Sequence, residues 1–305
     1  LPLAQADVRL AGHAVEVRLC AEEPADDFLP RTGTVVDWRP DELTRCDHAI
    51  EPGMTVSPHY DSMLAKVIAH GSTRSEALDR LARALDRTVL LGVPSNRSFL
   101  ARVLRHPAFA DGAAVSTAFV ERHYPGLEER TCIPDDATWA LAAWLSTAAA
   151  PEAARASGEW RHWGSGRPLP VPWRLDWHAP QSLSAGTGLS RSGRALLTQA
   201  GAEISTGDAQ VRVRGCPVDR CADGEAGIDG KTVLYRYAWQ GNRLWLHTRA
   251  ADYEFHCRRR EPGRSSADSD ARGGDVRAAI NGRVAELAVA PGDEVVAGQR
   301  LLALE

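Results

Sequence analysis

The chain has 305 residues, 44% hydrophobic and 25% charged, with a formal net charge of −4. That length suggests about two or three domains, and the composition is that of an ordinary globular protein. The acidic balance argues against nucleic acid as a partner, and no apolar run approaches the length of a membrane span.

The opening residues, LPLAQADVRL, hold neither an initiator Met nor a signal peptide, and read as a cut into a longer polypeptide. From His13 to Leu19 the pattern alternates: Val15, Val17 and Leu19 share one parity, Ala14, Glu16 and Arg18 the other. Period-two alternation predicts a half-buried strand. Pro30 to Gly33 is a turn, Thr34-Val35-Val36 starts a short strand, and Pro52-Gly53 is a second turn. Tyr60-Asp61-Ser62-Met63 leads into the apolar run Leu64 to Ala69. Ser75 to Leu91 then carries Ala77, Leu78, Leu81, Ala84, Leu85 and Val89 at helical spacing, with Ser72 or Thr73 as N-cap, Glu76 placed for a capping box and Gly92 as the stop. Asn96 to Leu104 is a second helix. Ala137 to Ala156, capped by Asp135-Asp136, is a third, and Pro151 kinks or splits it.

From Gly158 helical spacing disappears. Short alternating runs follow at Pro172–Trp177, Arg194–Ala200, Gln210–Gly215, Thr232–Trp239, Arg243–Thr248 and Tyr253–Arg258. Asp229-Gly230-Lys231 and Gln240-Gly241-Asn242 are hairpin turns between such runs. The segment predicts an all-β unit, sandwich or barrel. Arg258 to Asp275, rich in Gly, Ser, Arg and Asp, reads as a flexible linker. After it Val284–Val289 is a strand, Pro291-Gly292-Asp293 a turn, and Leu301–Leu304 the start of another strand.

Four ordered blocks near the start, GHAVEVRLCAEEP, FLPRTG, RCDHAIEPGMTVSPHYDSM and LAKVIAHG, resemble the C-terminal subdomain of biotin carboxylase, of the ATP-grasp superfamily. The resemblance continues through GVPSNRSFLARVLRHPAF to Phe119-Val120-Glu121. The spacing NGRV, PGDEV, GQRLLALE at the other end resembles half of a biotinyl or lipoyl carrier domain, with Ile280-Asn281-Gly282 where that family more often has Met-Pro-Gly or Met-Thr-Gly. In this order the pieces resemble the α subunit of a biotin-dependent acyl-CoA carboxylase, of the methylcrotonyl- or geranyl-CoA type. The implied fold class is α+β multidomain: an ATP-grasp-type C-terminal subdomain at 1–130, a helix plus antiparallel β-barrel docking domain at 131–257, a linker at 258–275, and at 276–305 the N-terminal half of a flattened β-barrel carrier.

The resemblance implies a ligase reaction. ATP with Mg activates bicarbonate, the carboxyl passes to biotin, and a partner carboxyltransferase β subunit hands it to an acyl-CoA. By motif register Arg45 falls on the arginine that holds bicarbonate and stabilises the biotin enolate, a catalytic and cofactor-binding role. An arginine suits it, being always charged and a bidentate donor. The family usually has Arg-Val-Asp or Arg-Trp-Glu there; Arg45-Cys46-Asp47 keeps the arginine and the acid. Asp61 and Asp47 read first as turn caps or arginine partners. Glu16, Arg18 and Glu22 read as a structural polar row, and Lys66 as a snorkelling residue in an apolar strand. His48 and His59 lack a second ligand at a useful spacing, so no metal ligand set is expected.

The 6 cysteines have no regular spacing; Cys216 and Cys221 read as ordinary thiols and the compartment as a reducing cytoplasm. The only lysines are Lys66 and Lys231, neither in a Met-Lys-Met context, and the sequence offers no Gly-rich phosphate loop. As given, the chain is expected neither to hydrolyse ATP nor to carry biotin. The barrel would dock the β subunit in a homodimer or higher α/β oligomer, six of its tryptophans (Trp160, Trp163, Trp173, Trp177, Trp239, Trp245) serving as core or as anchors. Two alternatives stand beside this reading: a non-catalytic assembly module that docks the carboxyltransferase subunit, and the propionyl-CoA carboxylase α subunit. A carboxylase with its carboxyltransferase in the same chain is disfavoured, because the interval before the carrier is too short to hold that domain.

Overall fold

The computed structural model describes residues 4–113, 115–126, 130–148, 170–180, 190–198, 201–206, 209–214, 221–258, 284–290, 292–296 and 299–304. The predicted alternation at the N-terminus forms β1 (His13–Cys20). Two-residue strands β2 (Glu22–Glu23), β3 (Leu29–Pro30) and β4 (Gly33–Thr34) follow. Then come β5 (Asp37–Arg39), β6 (Arg45–His48), β7 (Thr55–Val56) and β8 (Met63–Gly71). β8 is central to an antiparallel sheet of order β1-β8-β6, with a register shift at Leu19/Cys20. Its apolar face, Val17, Val67 and Ala69, packs on α1 (Arg74–Arg87) through Leu78, Leu81 and Leu85.

Thr73 caps α1 as expected, its side chain accepting from the Glu76 N–H, while Glu76 accepts from the Ser72 N–H at 2.7 Å. The helix stops earlier than the periodicity predicts. Val89 to Leu91 is β9, paired with β5 (Asp37↔Leu91). All three side chains of β9 are buried and apolar, and pairing across to β5 satisfies their backbone where another helical turn would not. Gly92 therefore ends a strand, not a helix. Its φ of +103° and the Thr34 carbonyl oxygen, which a Cβ would strike, both require glycine.

α2 (Arg97–Arg105) follows, then the short α3 (Pro107–Asp111) and α4 (Phe119–His123). Asn96 stands at the start of α2 without capping it. Its amide instead donates to the Arg18 carbonyl at 3.2 Å and accepts from the Cys20 N–H at 3.0 Å. This holds the irregular end of β1 against α2.

α5 (Asp136–Ala148) is capped by Asp135, which accepts from the Thr138 N–H at 2.8 Å. Pro151 and the predicted continuation to Ala156 lie outside the described residues. Eight strands close into an antiparallel barrel, each beside its sequence neighbours: β10 (Val171–Trp177), β11 (Ser190–Thr198), β12 (Gly201–Thr206), β13 (Ala209–Arg214), β14 (Cys221–Ile228), β15 (Lys231–Gln240), β16 (Arg243–Thr248) and β17 (Asp252–Cys257). β17 returns to β10 (Leu175↔Cys257). Of the sandwich and the barrel that the sequence allows, the chain adopts the barrel.

α5 is buried on every side, with Trp139, Ala140, Leu141, Ala142, Ala143, Trp144 and Leu145 at 0–1% exposure. A helix apolar all round has no solvent face, so it sits among the barrel strands. Trp139 meets Phe255 edge-on at 5.0 Å, and Trp144 faces Tyr235 at 6.4 Å. β18 (Val284–Leu287) and β19 (Leu302–Leu304) form a separate exposed antiparallel pair. The predicted linker beyond Arg258 lies outside the described residues.

The barrel and the N-terminal sheet share a buried seam. Val89 and Leu91 pack with Ala238 and Trp245. Arg97, 0% exposed, donates to both Asp252 carboxylate oxygens (2.7 and 3.1 Å) and to the Leu85 and Thr248 carbonyls. Arg236 on β15 pairs with Asp37 on β5 and, at 2.7 Å, with Asp223 on β14. Asp86 on α1 accepts from Arg105 and, across the seam, from Arg249.

Candidate functional site

Residues directly opposite in a sheet share a face. The register places Glu16, Ile68 and Arg45 in one row across β1-β8-β6, and Arg18, Lys66 and Asp47 in the next. The alternate residues face the core. The outer face of this sheet is thus a charged surface of three cations and two carboxylates.

Arg45 lies on it with 70% of its side chain exposed. Its Nε lies 3.1 and 3.2 Å from the two Asp47 oxygens, and Nη2 donates to Asp47 at 2.9 Å. Those hydrogen bonds hold the Asp47 carboxyl below its ordinary range and raise Arg45 further above neutrality. Among the described residues Nη1 has no partner. One edge of the guanidinium is fixed by Asp47, and the other faces solvent with its donors available. That edge suits a planar oxyanion.

Cys46, between Arg45 and Asp47, points the other way and packs among apolar residues beneath the sheet. The position needs a small apolar side chain, which a cysteine supplies as well as a valine. Burial raises the thiol pKa of both Cys46 and Cys20, the latter to about 11, so neither is a ready nucleophile at neutral pH.

The other singled-out residues divide. Lys66 lies 3.7 Å from Glu16 on the charged face, a half-exposed ion-pair member rather than a stem crossing apolar surface. Glu16 and Arg18 do share a row of charge, 3.9 Å apart, but Glu22 turns away to accept from the Ser62 hydroxyl at 2.5 Å. Asp61 caps its turn, accepting from the Met63 N–H at 2.7 Å. His48 packs edge-on against Trp38 at 5.1 Å, and the His59 N–H donates to the Ser57 hydroxyl. Neither histidine joins a cluster of possible metal ligands among the described residues. Cys216 and the side chain of Cys221 lie outside the described residues, as do Trp160 and Trp163. Trp173, Trp177 and Trp245 are buried. No helix among the described residues is long and apolar enough to cross a membrane.

The decisive comparison concerns the sheet that carries this face. Residues 16–122 match the biotin carboxylase C-terminal domain. The methylcrotonoyl-CoA carboxylase α subunit of Arabidopsis thaliana is 42% identical over 126 residues, 40% of this chain and 17% of that protein. The propionyl-CoA carboxylase α chain of Homo sapiens is also 42% identical, over 125 residues, again 40% of this chain and 17% of that protein. Among solved structures, the biotin carboxylase subunit of a pyruvate carboxylase is 32% identical, covering 44% of this chain and 29% of that one with a TM-score of 0.41. The similarity is thus to a biotin carboxylase C-terminal domain over residues 16–122, and the chain spans less than a fifth of the length of the two curated relatives. Arg45, its sheet from Glu16 onward and the cluster around Asn96 lie within the matched residues.

Proposed function

We propose that this chain is part of the α subunit of a biotin-dependent acyl-CoA carboxylase, and that Arg45 is its catalytic arginine. The observation that supports this is the exposed guanidinium edge of Arg45, oriented by Asp47 inside a biotin carboxylase C-terminal domain. Biotin, when bound, supplies the ureido nitrogen that takes up the carboxyl group. The free edge of Arg45 would hold the bicarbonate oxygens and, during transfer, the negative charge that develops on the ureido oxygen. Asp47 orients the fork and raises no barrier to this role, since an arginine stays charged while it donates. ATP and Mg would be held by residues outside the matched segment. Two equal identities, 42% to a methylcrotonoyl- and 42% to a propionyl-CoA carboxylase, leave the acyl-CoA to be assigned by assay; the methylcrotonyl- or geranyl-CoA type is the reading tested first.

In the parent enzyme, Arg45→Gln should lower the rate of biotin carboxylation by about 100- to 1,000-fold, the cost of losing one charged donor to a developing anion. Asp47→Asn should act in the same direction but less, since it leaves the guanidinium in place and only loosens it. Near-normal turnover in Arg45→Gln would overturn the assignment. The barrel is proposed to dock the carboxyltransferase β subunit. Co-elution of the full chain with that subunit, lost when residues 158–257 are deleted, is the expected result; failure of the intact chain to bind any acyl-CoA carboxyltransferase would overturn the docking role and return the barrel to an unassigned β unit.

A further inference from the structure

The barrel rim beside the seam gathers two histidines and a carboxylate. β10 pairs with β17 as far as Trp177↔Phe255, and the next step is made by the His178 N–H donating to the Glu254 carbonyl at 2.8 Å. His178 is therefore opposite Glu254 and on the same face; His256, two residues along β17, shares that face too. The nearest donor atoms of His178, Glu254 and His256 all lie within 4.8 Å of one another. His256 Nε2 is 3.1 Å from a Glu254 oxygen, and the two imidazoles stack at 5.9 Å and 25°. Glu254 is almost fully buried, His256 half-buried and His178 exposed. Beside them runs a groove of about 540 Å³ that Arg31, Thr32, Gly92 and Arg243 help to line.

We propose that His178, Glu254 and His256 form a transition-metal site of the zinc class, open to solvent along this groove. Two imidazoles and one carboxylate are donors for Zn²⁺, Co²⁺ or Ni²⁺ rather than for Mg²⁺ or Ca²⁺, which prefer all-oxygen shells. Three protein ligands, two from β17 and one from the residue that follows β10, would occupy one side of an ion, and the groove leaves the other side for water. The buried carboxylate gives the site its charge. Its present counter-ion is Arg243, 3.1 Å away with a half-exposed side chain that can leave for solvent. The site lies outside residues 16–122 and does not depend on the proposed carboxylase role. The pattern Glu-x-His at 254–256 was visible in the sequence, but His178 lies far upstream, and only barrel closure brings it alongside.

The test is a titration of the untagged, chelator-treated full chain with Zn²⁺ by calorimetry, repeated with Co²⁺ by visible absorption. One ion per chain is expected. His178→Ala and His256→Ala should each weaken binding at least about tenfold, and the double variant should abolish it. His48→Ala/His59→Ala should leave binding unchanged. Arg243→Gln should tighten it by removing the competing cation, an outcome a purely structural ion-pair cluster would not give. His178 is exposed, so His178→Ala should keep the melting temperature and remain interpretable. The proposal fails if no saturable binding is found, or if binding survives in the His178→Ala/His256→Ala double variant.

Discussion

Burial pushes the Glu23 carboxyl up to about 7; the Ala25 N–H pulls it down, Asp26 adds to the rise, and Arg31 opposes it. Between the ordinary carboxylate range and pH 7 the folded chain keeps this proton while the unfolded chain has lost it. The native state then binds more protons, so stability falls as pH rises through that window. Urea midpoints at pH 5 and pH 8 should differ in this direction, and Glu23→Gln should shrink the difference, having no proton to lose. An unchanged pH dependence in Glu23→Gln would show that another group sets it. Carboxyls held low by arginine, such as Asp41 and Asp223, act only at more acid pH and do not enter this window. Cys46 offers a second check at this scale. Because its side chain joins the core and not the charged face, Cys46→Val should cost less than about 1.5 kcal/mol and leave the charged face, with the role proposed for Arg45, undisturbed. Chemical denaturation beside a carboxylation assay of the parent enzyme would separate the two effects.

Among the elements, α5 has the largest apolar burial on one helix and the least choice of position. Trp144 is 1% exposed within the barrel. Trp144→Ala should cost about 3–5 kcal/mol, read from denaturant midpoints, because the barrel wall cannot collapse around the void. A cost under about 1 kcal/mol would mean that the helix is not held inside. The sequence announced this helix by composition and cap, and six of the barrel strands by alternation. It did not announce β12 (GAEIST) or β14 (CADGEAGI), whose Gly, Ala, Asp and Glu are poor strand formers. They are strands because β11, β13 and β15 lend them partners. Gly224 in β14 shows the cost of that fit from the other side: a Cβ there would strike the Tyr235 ring. The site divides in the same way. The place of Arg45 on the sheet was legible because four ordered motifs fix its register, and that of Asp47 because it is a near neighbour; the role of Arg45 remains a proposal. The pairing of Lys66 with Glu16 and the turning-away of Glu22 depend on strand register and on the irregular end of β1, which no local pattern records. The helical periodicity that ran on into Val89 failed for a related reason: β5, 50 residues upstream, competes for the same backbone.

At the scale of the whole molecule, the seam decides whether sheet and barrel unfold together. Its buried polar part is the Arg97–Asp252 and Arg236–Asp37 pairs, and these stabilise only when complete. Arg97 comes from α2 and Asp252 from β17, and each also has a second partner: Arg97 the Leu85 and Thr248 carbonyls, Asp252 the His247 ring at 2.6 Å. Removing one member strands the other without solvent, so Arg97→Met alone should cost about 3–5 kcal/mol. Asp252→Asn should cost a similar amount. If the pair is the link, the double variant should be less damaging than the sum of the two, because neither charge is then left uncompensated. Loss of the link should also split unfolding into two steps, since the sheet and the barrel would then be joined mainly by the apolar contacts of Val89, Leu91, Ala238 and Trp245 and by the Arg236–Asp37 pair. Far-UV circular dichroism would follow both units and Trp fluorescence chiefly the barrel, which holds most of the described tryptophans. Coincident transitions in the wild type and separate ones in Arg97→Met are the expected outcome. Additive costs with a single transition throughout would place the coupling in the apolar contacts and the Arg236–Asp37 pair instead, and the Arg97–Asp252 pair would then fix only the orientation of the barrel on the sheet that carries Arg45.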